Sequence, residues 1–374
     1  MPLLLFVALL AQSLLAQSAD FEAAGKKAIE ARNYPEAVAA FRHAVAADPK
    51  DYAAHFNLGF AYTMAGQDAE AAQEFKTVLD LHPGVFEAQL NLGVALLRLN
   101  RSAEAETAYR AALSIRVDSA AAEQGLGHAL ALQNKCAEAE PHYRKAAALD
   151  PAYMNSLLEL AALYEANHQT AEAIAIFREF PNEPAAAEHM GALLLQSSHS
   201  AEAIPPLEFA VAKSPTPANR LALAQAYVKE KQLAKAEPLA AAALAQAPDD
   251  DAVRMFYGRI LRDQRKFKEA AAQFQAVAQR RPDSVEAWQE LAGVYLVSDN
   301  PQPALAAFDR VRALGAETPS DLFFRAVAHD HLHQSKDALD DYNKFLSASK
   351  GTFPEQELQA RMRVQALEKD LGKR

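Results

Sequence analysis

Residues 52–85 read YAAHFNLGFAYTMAGQDAEAAQEFKTVLDLHPGV, and the order of small and large side chains in this stretch decides the fold. Gly59 is followed twelve residues later by Ala71, and Ala71 four residues later by Phe75. Positions four apart share one face of a helix, so Ala71 and Phe75 lie together on a second helix that follows the one carrying Gly59. Small residues midway along both helices let the two backbones approach closely. Pro83 cannot continue the second helix and starts the turn out of it.

The same order recurs along the chain. The small position is Gly25, Gly59, Gly93, Gly127, Ala161, Gly191, Ala224, Gly258, Ala292 and Ala326, mostly at intervals of 34. Twelve residues after each stands an Ala, from Ala37 to Ala338. Four further on comes a large residue in nine of ten cases: Phe41, Phe75, Tyr109, Tyr143, Phe177, Leu207, Phe274, Phe308 and Tyr342. The tenth is Ala240, which predicts a thinly packed unit. Pro49, Pro83, Pro151, Pro215, Pro248 and Pro282 close six units. Pro141, Pro205 and Pro238 share one register, expected in the first turn of the second helix, where a missing N–H costs least. There is no sustained period-2 alternation and no Asn-Gly or Asp-Gly hairpin signal.

With Leu58-Gly59, Tyr62, Ala71, Phe75 and Pro83 in register, the pattern resembles the tetratricopeptide repeat, a 34-residue helix–turn–helix. The resemblance implies an all-α fold, a right-handed superhelical solenoid of stacked antiparallel helix pairs. Ten units are read: 18–51, 52–85, 86–119, 120–153, 154–183, 184–216, 217–250, 251–284, 285–318 and 319–352. Unit 154–183 is cut short at Pro181, so its second helix should be short. Residues 353–374 read as a C-terminal capping helix and tail, with Leu358, Met362, Val364 and Leu367 on an apolar side.

Composition agrees. Ala accounts for 84 of 374 residues, and Ala is the best helix former but a poor core filler. A charged fraction of 23% excludes both a polytopic membrane protein and a disordered chain. The single Cys136 excludes a disulfide framework and any Cys-rich metal site. Residues 1–17 carry no charge and include the apolar run Leu3–Leu10 before small residues, which reads as a signal peptide cut after Ala16 or Ser18. The expected location is therefore periplasmic or secreted, with no stable membrane insertion after signal removal.

The repeats and their flanks leave no room for a catalytic domain, and no HExxH, Walker A, G-x-S-x-G or dinucleotide fingerprint occurs. No enzyme activity, cofactor or metal is expected. His329 and His333 could share a helical face, but His329 stands in the register of Tyr62, Tyr164 and Tyr295, a packing position.

Resemblance to the family implies a concave groove lined by the first helices. The expected peptide-binding groove is Phe56, Asn57, Phe60, Met64, Leu90, Asn91, Val94 and Arg98, where Asn amides flank an apolar strip. A Lys or Arg clamp beside those amides is lacking; Glu87 stands there instead. Residues 251–284 carry net +4 in a chain of −10, which makes Phe256, Arg259 and Arg262 a candidate anion site. The acidic total disfavours nucleic acid. The function expected is a non-enzymatic exported scaffold binding a peptide or protein partner in an envelope, secretion or assembly complex. The alternatives are a module for an anionic polymer or carbohydrate and a regulatory subunit of a separate enzyme. Homo-oligomer formation is left open.

Overall fold

The computed structural model describes residues 18–372, so the apolar leader of residues 1–17 lies outside the described residues. Contacts divide the chain into two compact units, one up to Glu179 and one from Phe180 onward. The first holds α1 (residues 18–30), α2 (Tyr34–Ala47), α3 (Tyr52–Met64), α4 (Asp68–Leu81), α5 (Phe86–Arg98), α6 (Ser102–Ile115), α7 (Ala120–Ala131), α8 (Cys136–Leu149), α9 (Ser156–Ala166) and α10 (Thr170–Phe177). The second holds α11 (Pro184–Gln196), α12 (Ser200–Lys213), α13 (Pro217–Lys229), α14 (Leu233–Gln246), α15 (Asp251–Asp263), α16 (Phe267–Arg280), α17 (Val285–Val297), α18 (Pro301–Ala313), α19 (Pro319–His331), α20 (Ser335–Ser349) and α21 (Pro354–Gly372). Among the described residues there is no strand. Within each unit, consecutive helices pack as pairs and each pair stacks on the next. The fold is all-α, as the repeat pattern requires.

The large residue sixteen places after each small one closes its own pair. A methyl group added at Gly93 would stand 2.6 Å from the Tyr109 ring, and one at Gly258 would stand 2.6 Å from Phe274. Tyr109 is clasped twice, because Gly125 of α7 presses on the same ring from the next pair. Phe41, Phe75, Tyr109, Tyr143, Phe274 and Tyr342 are all 2% exposed or less, so each ring belongs to the core. Burial pushes the Tyr109 and Tyr143 phenols well above their ordinary range. In the pair that carries Ala240, both Ala224 and Ala240 are fully buried, whereas at the position of Ala240 eight pairs place a ring and one places Leu207.

Between the helices of every pair one residue turns left-handed. These are Arg32, Gly66, Asn100, Asn134, His168, Ser198, Lys231, Arg265, Asp299 and His333. The residue after each donates its N–H to the carbonyl five places back at 2.8–3.0 Å, the six-to-one bond that closes a Schellman cap. Nine of the ten are not glycine, so the turn pays local backbone strain for a fixed entry into the second helix.

Two expectations need correction. Pro141, Pro205 and Pro238 do not sit in the first turn. Each is the sixth residue of its helix, where an intrahelical N–H is due. The prolines and the carbonyl-bearing residues four places back, Ala137, Ala201 and Ala234, are all exposed, so water can serve the freed carbonyls. Second, the apolar side read into residues 358–367 is split between two faces. Val364 and Leu367 turn inward, whereas Leu358 and Met362 are each 62% exposed. The short second helix expected in residues 154–183 is present: α10 has 8 residues where α8 has 14.

Polar ties join successive pairs in a repeated form. Glu106 of α6 accepts from Gln133 at 2.9 Å and Lys135 at 3.1 Å, and Glu237 of α14 accepts from Lys266 at 2.6 Å. In both cases the lysine lies 29 residues after the glutamate, beside the left-handed turn. Burial raises the Glu106 pKa, but hydrogen bonds from Gln133, Arg110 and Lys135 outweigh it and hold the carboxyl at about 2.

Two measurements check this account. Gly125→Ala should lower stability by about 1–3 kcal/mol through overpacking on Tyr109, although Ala is the better helix former. Gly293→Ala, which meets nothing within 4 Å, should be neutral or stabilising by up to about 1 kcal/mol in thermal melts. Glu106 is ionised more readily in the folded chain than in the unfolded one, so its contribution is complete above the ordinary pKa of 4.5 and is lost as pH falls towards about 2. The stability difference between the native protein and Glu106→Gln should shrink over that window in urea titrations.

Candidate functional site: the first-helix face

In the first unit α3 touches α5, α5 touches α7 and α7 touches α9, so the first helices of successive pairs form one continuous face. The structure divides the residues expected to line it. Phe56 packs edge-on against Phe75, with centroids 5.6 Å apart. Leu90 lies against the buried cluster of Phe86, Ala112 and Ala122. Val94 is half-buried. Arg98 is held at 3.3 Å by the Thr63 carbonyl and at 3.3 Å by Asp68, joining the end of α3 to the start of α4. Phe60 and Met64 face solvent at 39% and 42% exposure. Asn57 and Asn91 are half-buried, and neither amide has a hydrogen-bond partner among the described residues. Asp51 caps α3 through the Ala53 N–H and Ser119 caps α7 through the Ala122 N–H, which fixes where these helices start.

Leu132 belongs with Phe60 and Met64. It is 50% exposed and stands 68 residues after Met64, in the same register of the repeat. Sequence reading restricted to two repeats missed it, although the period would have found it.

In the second unit, Arg259 and Arg262 project from α15 onto carboxylates of α17. Arg259 Nε donates to Glu290 at 2.8 Å, its other arm reaches Glu286, and Arg262 reaches both Glu290 and Asp263. Burial lowers the Arg259 pKa, but Glu290 and Glu286 more than compensate and raise it above the ordinary value. The local net charge of +4 read from residues 251–284 is therefore largely balanced by the neighbouring helix, whose glutamates fall in the next repeat. Beside this network an open cavity of about 500 Å3 is lined by Arg262, Glu286, Gln289, Gly293, Ser320 and Phe324. Gly293 leaves its floor bare of side chain, and Phe324 is 42% exposed at its wall. Gln289 donates to Asp321 at 2.8 Å, and Asp321 also completes the capping box of α19 with Thr318. Phe324 stands 68 residues after Phe256, so it too was findable by register.

His329 Nδ1 lies 2.6 Å from Gln334 and its Nε2 lies 3.6 Å from Asp341. His333 is the left-handed residue of its turn, beyond the end of α19, so the two rings do not share a helical face. Among the described residues no group of three or more His, Cys, Asp or Glu could hold a metal ion. No described helix is long and apolar enough to cross a membrane.

Tetratricopeptide-repeat family models match residues 22–85, 65–122, 125–187, 217–260 and 261–321, most of the chain. The chain belongs to the tetratricopeptide repeat family, whose fold commonly serves as a scaffold for protein–protein interaction. Among the stretches the matches leave out are residues 188–216 and everything after 321, yet α12 and α20 each pack on the preceding helix there as second helices do elsewhere. Among solved structures, the chain is similar to MamA protein at 20% identity, covering 50% of this chain and 94% of that one with a TM-score of 0.42. It is similar to a tetratricopeptide repeat protein from Parabacteroides merdae at 16% identity, covering 66% and 99% with a TM-score of 0.43. The P58(IPK) TPR domain shares 18% identity over 87% of this chain and 100% of that one, with a TM-score of 0.29. No curated protein matches the chain.

Proposed function

We propose that this chain is an exported scaffold without catalytic activity of its own. Its first-helix groove holds an extended peptide or a helix of a partner protein, within an envelope, secretion or assembly complex. The observation that carries the reading is the pairing of the Asn57 and Asn91 amides, unpartnered among the described residues, with the exposed side chains of Phe60, Met64 and Leu132. An extended peptide brings backbone donors and acceptors that those amides can meet, while the apolar side chains bury its alternate residues. Export rests on the apolar leader of residues 1–17.

Phe256, Arg259 and Arg262 support an anionic ligand less well, because Glu286 and Glu290 already engage both guanidiniums. An incoming polyanion would have to displace two carboxylates and would meet their repulsion. The cavity at Gly293 extends the peptide reading to the second unit.

Panning a random dodecapeptide display library against the purified protein tests the groove. Enriched peptides should be rich in apolar residues. They should lose at least about tenfold in affinity, about 1.4 kcal/mol, on Phe60→Asp or on Asn57→Ala combined with Asn91→Ala, with melting unchanged. Peptides that bind these variants as well as the native protein would move the site elsewhere. Selection of uniformly acidic peptides that need Arg259 and Arg262 would favour the anion reading. Export is checked separately by N-terminal sequencing of the chain from the native organism. The expected first residue is Gln17 or Ala19; a chain beginning at Met1 or Pro2 would remove the export half of the proposal.

A further inference from the structure

Helix α21 carries two stripes of the same spacing on opposite sides. The inner stripe, Glu357, Ala360, Val364, Leu367 and Leu371, packs toward the preceding helices: Ala360 and Leu367 are buried with Phe345 and Tyr342, and Val364 lies against them. Glu357 is buried too, where it accepts the Gly351 N–H at 2.7 Å. The outer stripe, Glu355, Leu358, Met362, Gln365 and Lys369, is exposed along its whole length. Its steps of three and four residues keep it on one face of the helix, apolar at Leu358 and Met362 and polar at both ends. Leu358 and Met362, at 62% exposure, are among the most exposed large apolar side chains of the described residues.

The charges of the outer stripe say which helix fits. Glu355 stands at the start of α21 and Lys369 near its end, and neither has an ion-pair or hydrogen-bond partner among the described residues. A parallel copy would set Glu355 against Glu355 and Lys369 against Lys369. An antiparallel copy centred between Leu358 and Met362 lays each Leu358 on the partner's Met362, brings each Glu355 within about one helical turn of the partner's Lys369, and opposes the two helix dipoles. We infer that the outer face of α21 is a self-association surface, on which a second copy of this chain docks its own α21 antiparallel. Two helices of roughly five turns cover less than a standard interface of about 1,200 Å2, so the dimer is weak and concentration-dependent. The inference stands apart from the groove, which lies on the first helices.

Sedimentation of the full chain between about 10 µM and 1 mM reads the result, the range expected for a small interface. The native protein should pass from monomer to dimer. Leu358→Lys with Met362→Lys should stay monomeric, with an unchanged melting curve because both side chains face water. Glu355→Lys should weaken the dimer about fivefold or more, and adding Lys369→Glu to it should restore the native affinity. A native chain that stays monomeric at 1 mM would overturn the proposal, as would a dimer that survives the double lysine variant. A charge swap without recovery would overturn the antiparallel order.

Discussion

A large side chain lying against a glycine or alanine sixteen residues earlier is the contact on which the rest of this molecule depends. It sets how near the two helices of a pair can come, because the ring of Tyr109 or Phe274 occupies the space that a Cβ at Gly93 or Gly258 would need. Burying such a ring contributes about 2–3 kcal/mol, and removing it would cost about 3–5 kcal/mol. Tyr109 does more, because Gly125 of the next pair also closes on it. One ring then fixes both the spacing within a pair and the approach of its neighbour. The abundance of Ala has the same origin: Ala37, Ala71, Ala105 and their successors are fully buried where helices touch.

The turn inside each pair is made to serve that contact. A left-handed residue at Arg32, Lys231 or Arg265 costs roughly 1–2 kcal/mol relative to a relaxed backbone. The cost is tolerated because the turn delivers the second helix at the angle that seats the ring. Only Gly66 meets the requirement without strain. The recurrent glutamate–lysine ties, Glu106 to Lys135 and Glu237 to Lys266, anchor the residue that follows the left-handed one and so hold one pair to the next.

Much of this was legible in the order of residues, and the parts that were not have definite causes. Gly59, Ala71 and Phe75 announce a helix pair because each occupies a contact that excludes other sizes. The groove residues announce less, since an apolar residue on a first helix can face either way. Phe56 and Leu90 turned toward the core, whereas Phe60 and Met64 stayed in water. Arg259 and Arg262 looked unbalanced because their partners, Glu286 and Glu290, lie one helix pair further along the chain. Pro141 falls in the second turn of α8 rather than the first because the helix starts only two residues after the left-handed Asn134, a boundary that the repeat spacing alone does not give.

The sequence by itself determined the period, the pairing of helices and the identity of the residue that closes each pair, because those are constraints of size repeated at fixed spacing. Tertiary structure decided which polar and apolar side chains remain available. It engaged Arg98, Arg259 and Arg262 with neighbouring carboxylates, left Asn57 and Asn91 without hydrogen-bond partners among the described residues, and turned Leu358 and Met362 outward. Those outcomes depend on residues about thirty positions apart meeting across stacked pairs, and a repeat pattern specifies the stack without specifying what each surface side chain meets there.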